Sequence, residues 1–319
     1  RTYGSVHASL YLTRVNFTGN MAKRNKNWDN TLAKDANGGA LFWNARGRDT
    51  TKCVIDGCTF SGNSSEDNGG AIKSQATLVF RGAQTEITGN TAPVGAGLYI
   101  EGYQGGSGVS GERTINYDLN QYMYIHDNIA PAYQYGGETI PGRGAGVHLY
   151  FGPEMTLEAN STINLNMVGA RIENNHAGGR IQSEDGIVSE SASAGGLGGG
   201  IYFENTSLEE KGYDFNILLN YGTVSDNSAS QGAGIYVSKG SIGPEETQEP
   251  QTSARLQQDN AGSLIVRNNE AVSGGGGICR CQFDCMATRI FHLRPDSFEG
   301  SSRVPFAVLS CFIRGDRSL

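Results

Sequence analysis

The sequence predicts an all-β protein, a parallel β-helix of about seven to eight turns with long inserted loops. Three observations support this prediction. The chain has 46 Gly among 319 residues and only 18% charged residues, a composition that is unfavourable for helices. One short motif recurs seven times along the chain. Apolar residues around these motifs alternate with polar ones, which is the period of a strand.

Each repeat unit begins with an apolar residue, two small or polar residues and an Asn. It continues through a turn and small residues into a new apolar strand. The first copy is Phe17-Thr-Gly-Asn20, leading to Gly38-Gly-Ala-Leu41, and the second is Phe60-Ser-Gly-Asn63, leading to Gly69-Gly-Ala-Ile72. The seven motif asparagines are Asn20, Asn63, Asn90, Asn128, Asn175, Asn227 and Asn269. The shortest spacing between them, 27 residues, is interpreted as one bare unit, and longer spacings as the same unit with inserted loops.

The apolar alternation within a unit predicts strands with one buried face. Ile163, Leu165 and Met167 alternate with polar residues, and the same alternation recurs over residues 215–219. A period of two places these side chains on one face of a strand. Such short strands are not stable alone, but parallel stacking of the units at about 4.8 Å buries all their apolar faces together. We therefore expect one turn of three short strands per unit.

The motif asparagines are predicted to form a ladder that runs along the stack. Identical amide side chains at strand spacing can form hydrogen bonds up and down a column. Asn also tolerates the left-handed backbone conformation of a tight corner. The Gly and Ala residues of each unit are predicted to occupy the next corner, where the backbone is crowded.

A column of mostly aromatic residues is predicted on the outer face of the strands that follow the glycines. In each unit, the residue after the inward Leu, Ile or Val is expected to point outward. These residues are Phe42, Lys73, Tyr99, His148, Tyr202 and Tyr236. Exposed rings in a line bind sugars or protein surfaces well, because they bury a large area at a low entropic cost. The rings and His148 are therefore candidate binding residues; the alternative is that they are ordinary outward strand residues or are covered by inserted loops.

No residue set predicts catalysis, a bound metal or a cofactor. A glycosidase requires two carboxylates about 5–10 Å apart. Asp127 and Asp226 each precede a ladder Asn, but they are expected about two turns apart, so we interpret them as polar corner residues. Cys58 is predicted to be a buried small apolar residue. A disulfide with Cys53 is not expected, because the offset of five residues places Cys53 on the other side of a regular strand.

The charge and hydropathy of the chain exclude two classes of partner. A net charge of −7 argues against binding to nucleic acid, which requires Lys and Arg to displace counterions. No apolar run is long enough for a transmembrane helix. The exposed edges of an end turn would invite pairing with other chains, so we expect the intact protein to be longer than this chain.

The repeat resembles that of the chlamydial polymorphic outer membrane proteins. The units at Phe17 and Phe60 match both halves of that repeat, and looser copies extend the resemblance over about residues 10–278. The resemblance implies a right-handed parallel β-helix of the pectin-lyase-like type, located at the outer membrane or cell surface or outside the cell. It favours a non-catalytic adhesin whose loops and aromatic face bind a glycan or a host or matrix protein. The alternative is a secreted polysaccharide lyase or glycoside hydrolase, because the same architecture hosts both.

Residues 279–319 depart from the repeat. They contain four of the six Cys and no Asn, and no strand alternation is apparent. A zinc site formed by Cys279, Cys281, Cys285 and His292 is an alternative interpretation, but the spacing is not that of common zinc modules. A frameshift is the favoured hypothesis, since codons for residues 278–283 read one base later can restore a strand. The repeat domain is therefore predicted to span residues 1–278, followed by a poorly packed tail.

Overall fold

The computed structural model describes residues 9–24, 36–44, 52–102, 114–151, 162–205, 214–239, 252–253 and 264–281. All regular secondary structure in these residues is β-strand, as the sequence predicts. The strands pair in parallel, apart from two antiparallel hairpins. This arrangement is compatible with the predicted β-helix. The described residues contain no helix that could cross a membrane.

Three sheets carry most of the structure, and we number them in the order in which each unit visits them. Sheet 1 leads into the ladder asparagines, and its nine strands are Asn16–Thr18, Thr59–Ser61, Thr85–Thr88, Thr114–Asn120, Met123–His126, Thr162–Glu173, Asp214–Ser225, Thr252–Ser253 and Leu264–Arg267. Sheet 2 starts directly after the asparagines. Its strands are Met21–Ala22, Ser64–Ser65, Ile129–Tyr135, Glu138–Ile140, His176–Gln182, Val188–Glu190, Ser228–Ala229 and Glu270–Ala271.

Sheet 3 follows the glycines of each unit. Its seven strands are Leu41–Trp43, Ile72–Ser74, Leu98–Glu101, Val147–Phe151, Ile201–Asn205, Ile235–Lys239 and Ile278–Cys281. Two smaller groups complete the structure. They are a three-stranded sheet of Leu10–Thr13, Cys53–Asp56 and Leu78–Phe80, and a pair formed by Gly142–Arg143 and Gly196–Leu197.

The strand register confirms the alignment of the seven units. In sheet 1, Phe17 pairs with Phe60, Phe60 with Ile87, and Ile87 with Ile125. The same series continues through Ile172, Val224 and Val266. In sheet 3, the paired residues are Leu41, Ile72, Leu98, Val147, Ile201, Ile235 and Ile278. Each repeat unit therefore supplies one turn of the stack.

These paired apolar residues form the main core between sheets 1 and 3. Phe60, Ile87 and Ile125 on one side and Leu98 and Val147 on the other are fully buried. A fully buried side chain of this size contributes about 1.5–3 kcal/mol to stability. A second, thinner cluster consists of small residues at the corners: Ala92, Ala96, Ala130, Ala145, Ala177, Ala229 and Ala233. Small side chains suit these positions because the backbone of the turn closes there.

The predicted asparagine ladder is present through all seven units. Each Nδ2 donates to Oδ1 of the next Asn at 2.9–3.0 Å, from Asn20 to Asn269. The backbone N–H of each Asn donates to the same Oδ1 at 2.9–3.1 Å. From Asn63 onward, Nδ2 also donates to a backbone carbonyl of the preceding turn, as from Asn90 to Phe60 at 3.0 Å. These bonds satisfy amides that are almost entirely buried from Asn63 onward.

The corner beside the ladder corrects one detail of the sequence analysis. The ladder Asn itself does not adopt the left-handed conformation; the residue before it does in every unit. These residues are Gly19, Gly62, Gly89, Asp127, Asn174, Asp226 and Asn268, with φ between 52° and 66°. Gly, Asn and Asp are the residues that reach this region at the lowest cost. The ladder Asn is therefore selected by its side-chain hydrogen bonds, and the preceding residue by its backbone.

The glycine corner is as crowded as predicted. A Cβ added to Gly39 would lie 2.2 Å from the carbonyl oxygen of Gly70 in the next turn. A Cβ added to Gly200 would lie 2.5 Å from the carbonyl oxygen of Gly234. Successive turns therefore meet backbone to backbone at this corner, which leaves no space for a side chain at these positions.

Cys58 is buried in the main core, as predicted, and both Cys58 and Cys53 are free thiols. The expectation that Cys53 faces away from Cys58 is wrong, because both side chains belong to the same core cluster. Gly57, with φ of 60°, lies between the two strands and allows the chain to bend. Burial, together with the neighbouring Cys58, raises the pKa of the Cys53 thiol to about 12.

The last strand runs beyond the predicted end of the repeat. Ile278–Cys281 pairs in register with Ile235–Ser238, and Cys279 is fully buried. The strand therefore extends three residues past Ile278. The predicted poor packing of the tail falls mainly on residues 282–319, which lie outside the described residues, as do Cys285 and His292 of the alternative zinc set. Several of the long spacings that we interpret as inserted loops also include residues outside the described ones.

Candidate functional site

The predicted outer column of sheet 3 forms as a continuous line. Its members pair in register in the order Phe42, Lys73, Tyr99, His148, Tyr202, Tyr236 and Cys279. The ring of Tyr99 lies 5.1 Å from that of His148, which lies 4.7 Å from that of Tyr202. The rings of Tyr202 and Tyr236 stack at 5.2 Å. The alignment of these residues in one line is therefore as the sequence predicts.

The predicted exposure of this column is wrong. Tyr99 is 6% exposed, His148 1%, Tyr202 3% and Tyr236 5%, and among the rings only Phe42, in the first strand, is exposed at 45%. Rings stacked at strand spacing cover each other's faces. A second row of outward-facing side chains on the same strands, which includes Glu101 and Glu204, lies beside the rings. This part of sheet 3 is therefore an interior surface and not an open aromatic face.

Charged side chains are buried beside the rings at two places. At the first, Lys73 Nζ lies 3.1 Å from Glu101 Oε2 and 3.2 Å from Asn37 Oδ1. Gln75 Nε2 donates to the same carboxylate oxygen at 2.6 Å. The Lys73 ammonium also lies 5.0 Å from the centre of the Tyr99 ring, within cation–π distance. These contacts compensate the buried charges and fix the rotamers of the column.

The second place centres on Glu204. Arg143 Nη1 lies 3.3 Å from Glu204 Oε2, and His148 Nε2 lies 3.2 Å from the same oxygen. Burial raises the pKa of Glu204, but contacts with His148 and Arg143 outweigh this effect and lower it overall. Burial lowers the pKa of His148, which favours the neutral imidazole. Both ring nitrogens of His148 and Arg143 Nε lack a hydrogen-bond partner among the described residues, so His148 Nε2 approaches Glu204 without a well-aligned hydrogen bond.

The loops inserted after Asn128 and Asn175 form two hairpins that pair with each other. We call them together the hairpin arm, residues 129–140 and 176–190. Tyr133 in the first hairpin pairs in parallel with Gln182 in the second. Gln182 is buried and donates from Nε2 to the carbonyl oxygen of Glu66, three turns earlier, at 2.9 Å. The arm therefore folds back along the stack and packs against earlier turns.

The outer face of sheet 1 carries a more accessible polar cluster. His126 Nε2 lies 2.8 Å from Glu86 Oε1, and His126 Nδ1 lies 2.6 Å from Asp127 Oδ2. The Tyr124 ring stacks on the His126 ring at 4.1 Å, and the Arg171 guanidinium lies 4.3 Å from the centre of the Tyr124 ring. The side chains of Glu86 and Asp127 are 44% and 48% exposed, so one imidazole joins two solvent-accessible carboxylates.

The sequence analysis missed this cluster because it compared Asp127 only with the equivalent residue two turns away. Asn174 lies between the two aspartates in the stack, and its Nδ2 contacts Asp127 Oδ1. The relevant partner, Glu86, is recognisable only from register, since Glu86 pairs with Tyr124, two residues before His126. No three His, Cys, Asp or Glu side chains of the described residues are grouped as metal ligands.

Comparison with protein-family models gave a match within the second repeat unit. Searches of curated proteins and of solved structures found no match. The matching segment includes Phe60, the ladder residue Asn63 and the glycine corner at Gly69, and it ends at Gln75. Residues 57–75 of this chain thus match the Chlamydia polymorphic membrane protein (Chlamydia_PMP) repeat.

Proposed function

We propose that this chain is part of a non-catalytic, adhesin-like protein of a cell surface or outer membrane, built as a right-handed parallel β-helix. The stack acts as a rigid rod, and the inserted loops present binding surfaces for a host or matrix partner. The match of residues 57–75 to a membrane-protein repeat supports the location. The buried aromatic column stiffens the rod in this proposal and does not contact the partner.

The observation that carries the proposal is the continuity of the asparagine ladder across large insertions. Asn128, Asn175 and Asn227 are separated by 47 and 52 residues, yet they hydrogen-bond at 2.9 and 3.0 Å. The two hairpins of the arm, which supply part of these extra residues, leave the stack without interrupting the ladder. A scaffold that accepts insertions in this way is suited to the display of variable surfaces.

Adhesion of immobilised protein tests the proposal. Beads coated with the full chain should bind to cultured epithelial cells more than beads coated with albumin, and soluble chain should compete. A control chain with Asn128→Ala and Asn175→Ala, which break the ladder, should lose the activity together with the fold. Equal binding of chain-coated and albumin-coated beads would contradict the adhesin proposal.

A polysaccharide-degrading enzyme is the second candidate, favoured by the Glu86–His126–Asp127 cluster. Two accessible carboxylates separated by one imidazole ring are compatible with the roughly 5–10 Å that glycosidases use. Incubation with acidic and neutral polysaccharides, with and without calcium, tests this candidate. Cleavage by the wild-type chain that is lost in both Glu86→Gln and Asp127→Asn would favour the enzyme over the adhesin proposal. If none of the polysaccharides is cleaved, the enzyme candidate is rejected.

A further inference from the structure

Exposed large apolar side chains of the described residues fall into three groups. Two groups lie in the first and last turns, where the described stack ends: Tyr11, Met21 and Phe42, and Ile265 and Val272. The third group is Tyr135, Ile187 and Val188, which are 44%, 64% and 38% exposed. These three belong to the hairpin arm, in the middle of the stack. The end of the stack therefore does not explain their exposure, and exposed apolar clusters commonly mark interaction sites.

The pairing of the arm places Tyr135 and Val188 on the same face of its strands, with Ile187 at the neighbouring position that faces the other way. Tyr133 pairs with Gln182, and Gln182 pairs with Val188 across the second hairpin. Ile187 is adjacent to Val188 in the chain, and Tyr135 is two residues beyond Tyr133 at the tip of the first hairpin. Gln182 is buried and hydrogen-bonds to the backbone of Glu66, which holds the arm against the earlier turns. The tip of the first hairpin and the outer strand of the second remain exposed.

The outer strand of the second hairpin presents backbone groups as well as side chains. Ser183 N–H donates to the Ile187 carbonyl, and Ser191 N–H donates to the Gly179 carbonyl. In an antiparallel strand pair, residues that hydrogen-bond to the partner strand alternate with residues that do not. Ser189 lies two residues from both Ile187 and Ser191, so it also hydrogen-bonds within the hairpin. The N–H and C=O groups of Val188 and Glu190 consequently point away from the hairpin. An edge of this kind can accept another strand.

The charges around this edge define the partner further. Glu138, Glu184 and Asp185 are exposed carboxylates of the arm. The arm also has Arg180, but its guanidinium lies 2.9 Å from the Glu190 carboxylate, which neutralises it. The edge therefore combines apolar side chains with a negative potential. Such a surface favours a basic, apolar ligand and repels anionic lipid or polyanionic glycan.

We infer that the edge strand Val188–Glu190 of the hairpin arm binds an extended protein segment in which apolar residues alternate with Lys or Arg. The segment adds a strand to the hairpin through the outward backbone groups of Val188 and Glu190. Its apolar side chains cover Val188, and its basic side chains pair with the exposed carboxylates of Glu184 and Asp185 in the adjoining turn. This inference specifies the partner for the display function proposed above, but its test requires only binding by the purified full chain.

Fluorescence anisotropy with labelled peptides tests the inference. The probe is a short peptide of alternating Lys and Val; its two controls alternate Glu with Val and Lys with Ser. We expect the full chain to bind the Lys–Val peptide at least tenfold more tightly than either control. The double variant Ile187→Ser/Val188→Thr should lose at least tenfold in affinity, whereas Val272→Thr, which removes an exposed apolar residue elsewhere, should not.

A backbone variant distinguishes strand addition from nonspecific attraction. Glu190→Pro removes one outward N–H and leaves the inner ladder intact, so it should weaken binding at least fivefold more than Glu190→Gln. Circular dichroism should show that both variants keep the fold. The inference is overturned if the Lys–Val peptide does not bind, if the Glu–Val peptide or phosphatidylserine vesicles bind as well, or if Glu190→Pro and Glu190→Gln are equivalent. If these peptide-binding experiments fail, cell adhesion through another loop would still be expected. The experiments can therefore contradict this inference without contradicting the adhesin proposal.

Discussion

Asn90 and Asn128 are joined by two hydrogen bonds to one oxygen atom. Oδ1 of Asn128 accepts from Nδ2 of Asn90 at 2.9 Å and from the backbone N–H of Asn90 at 3.0 Å. The two residues are 38 positions apart in the sequence and are completely buried. One side chain thus fixes both the spacing and the rotation of two successive turns, which explains why the motif requires Asn at this position.

Removal of one ladder amide should therefore destabilise the protein strongly. Asn128→Ala leaves the two donors of Asn90 without their acceptor, and each unsatisfied buried group costs about 1–3 kcal/mol. We expect the free energy of unfolding in urea to fall by roughly 3 kcal/mol or more. Asn164→Ala is the control, because its 2.9 Å bond to Asn116 is exposed and should cost about 1 kcal/mol or less. Similar losses for the two variants would contradict the structural role of the ladder.

The two kinds of corner should respond differently to added side chains. At Gly62, φ is 62° and no atom lies within 4 Å of an added Cβ, so only backbone strain opposes substitution. Gly62→Asn should cost less than about 1 kcal/mol, and Gly62→Val about 1–2 kcal/mol. Gly39→Ala should be worse than either, because its Cβ would meet a carbonyl oxygen at 2.2 Å.

Thermal unfolding of these three variants, monitored by circular dichroism, tests this predicted order of stabilities. The same left-handed position carries Asn174 and Asn268 in later units, which is why Asn is expected to be tolerated at Gly62. A melting temperature for Gly39→Ala at or above that of Gly62→Val would show that backbone contact at the glycine corner is less tight than described.

The all-β, mostly parallel architecture was predictable from sequence because each unit repeats the same local constraints. Phe60, Asn63 and Ile72 recur at equivalent places, and a period of two identifies the inward side chains. The ladder followed from the same repetition, since identical amides at strand spacing have a partner above and below. The local detail that Asp127, and not Asn128, is left-handed was not predictable, because either residue tolerates that conformation.

The candidate sites were less predictable because burial on the outside of a strand depends on other parts of the chain. Tyr202 points outward from its strand, as expected, yet it is 3% exposed. Nothing in the local pattern specifies that Arg143, 59 positions earlier, lies 5.9 Å from the Tyr202 ring. The Glu86–His126 contact likewise depends on the register between two turns and not on any sequence motif.

The two core thiols should be unreactive in the folded protein. Cys53 and Cys58 are 0% and 1% exposed, and burial raises the pKa of Cys53 to about 12. The thiolate is the reactive form, so iodoacetamide at mildly alkaline pH should not modify either residue before unfolding. Peptide mapping by mass spectrometry, with and without urea, measures this. Modification of Cys53 at the same rate in both conditions would contradict its place in the core.

The His148–Glu204 pair should make stability depend on pH. Burial lowers the pKa of His148 in the folded protein, whereas in the unfolded chain the imidazole titrates near its ordinary pKa of 6.5. As the pH falls below 6.5, the unfolded state therefore binds more protons than the folded state, and the free energy of unfolding decreases. Glu204 also has a lowered pKa. Its contribution to the free energy of unfolding is fully present above pH 4.5, the ordinary pKa of a Glu side chain, and is lost only as the pH falls below that value.

The variant His148→Phe isolates the imidazole, because it keeps a ring between Tyr99 and Tyr202 while removing the titratable group. We expect wild-type protein to lose stability in urea between pH 7 and 5, and His148→Phe to lose less over the same interval. The variant is expected to be less stable at pH 7, because Glu204 then loses its contact with His148 and retains that with Arg143. His176, whose pKa is also lowered by burial, remains in both proteins and cancels in the comparison. An unchanged pH dependence in the variant would mean that His148 titrates normally in the folded protein.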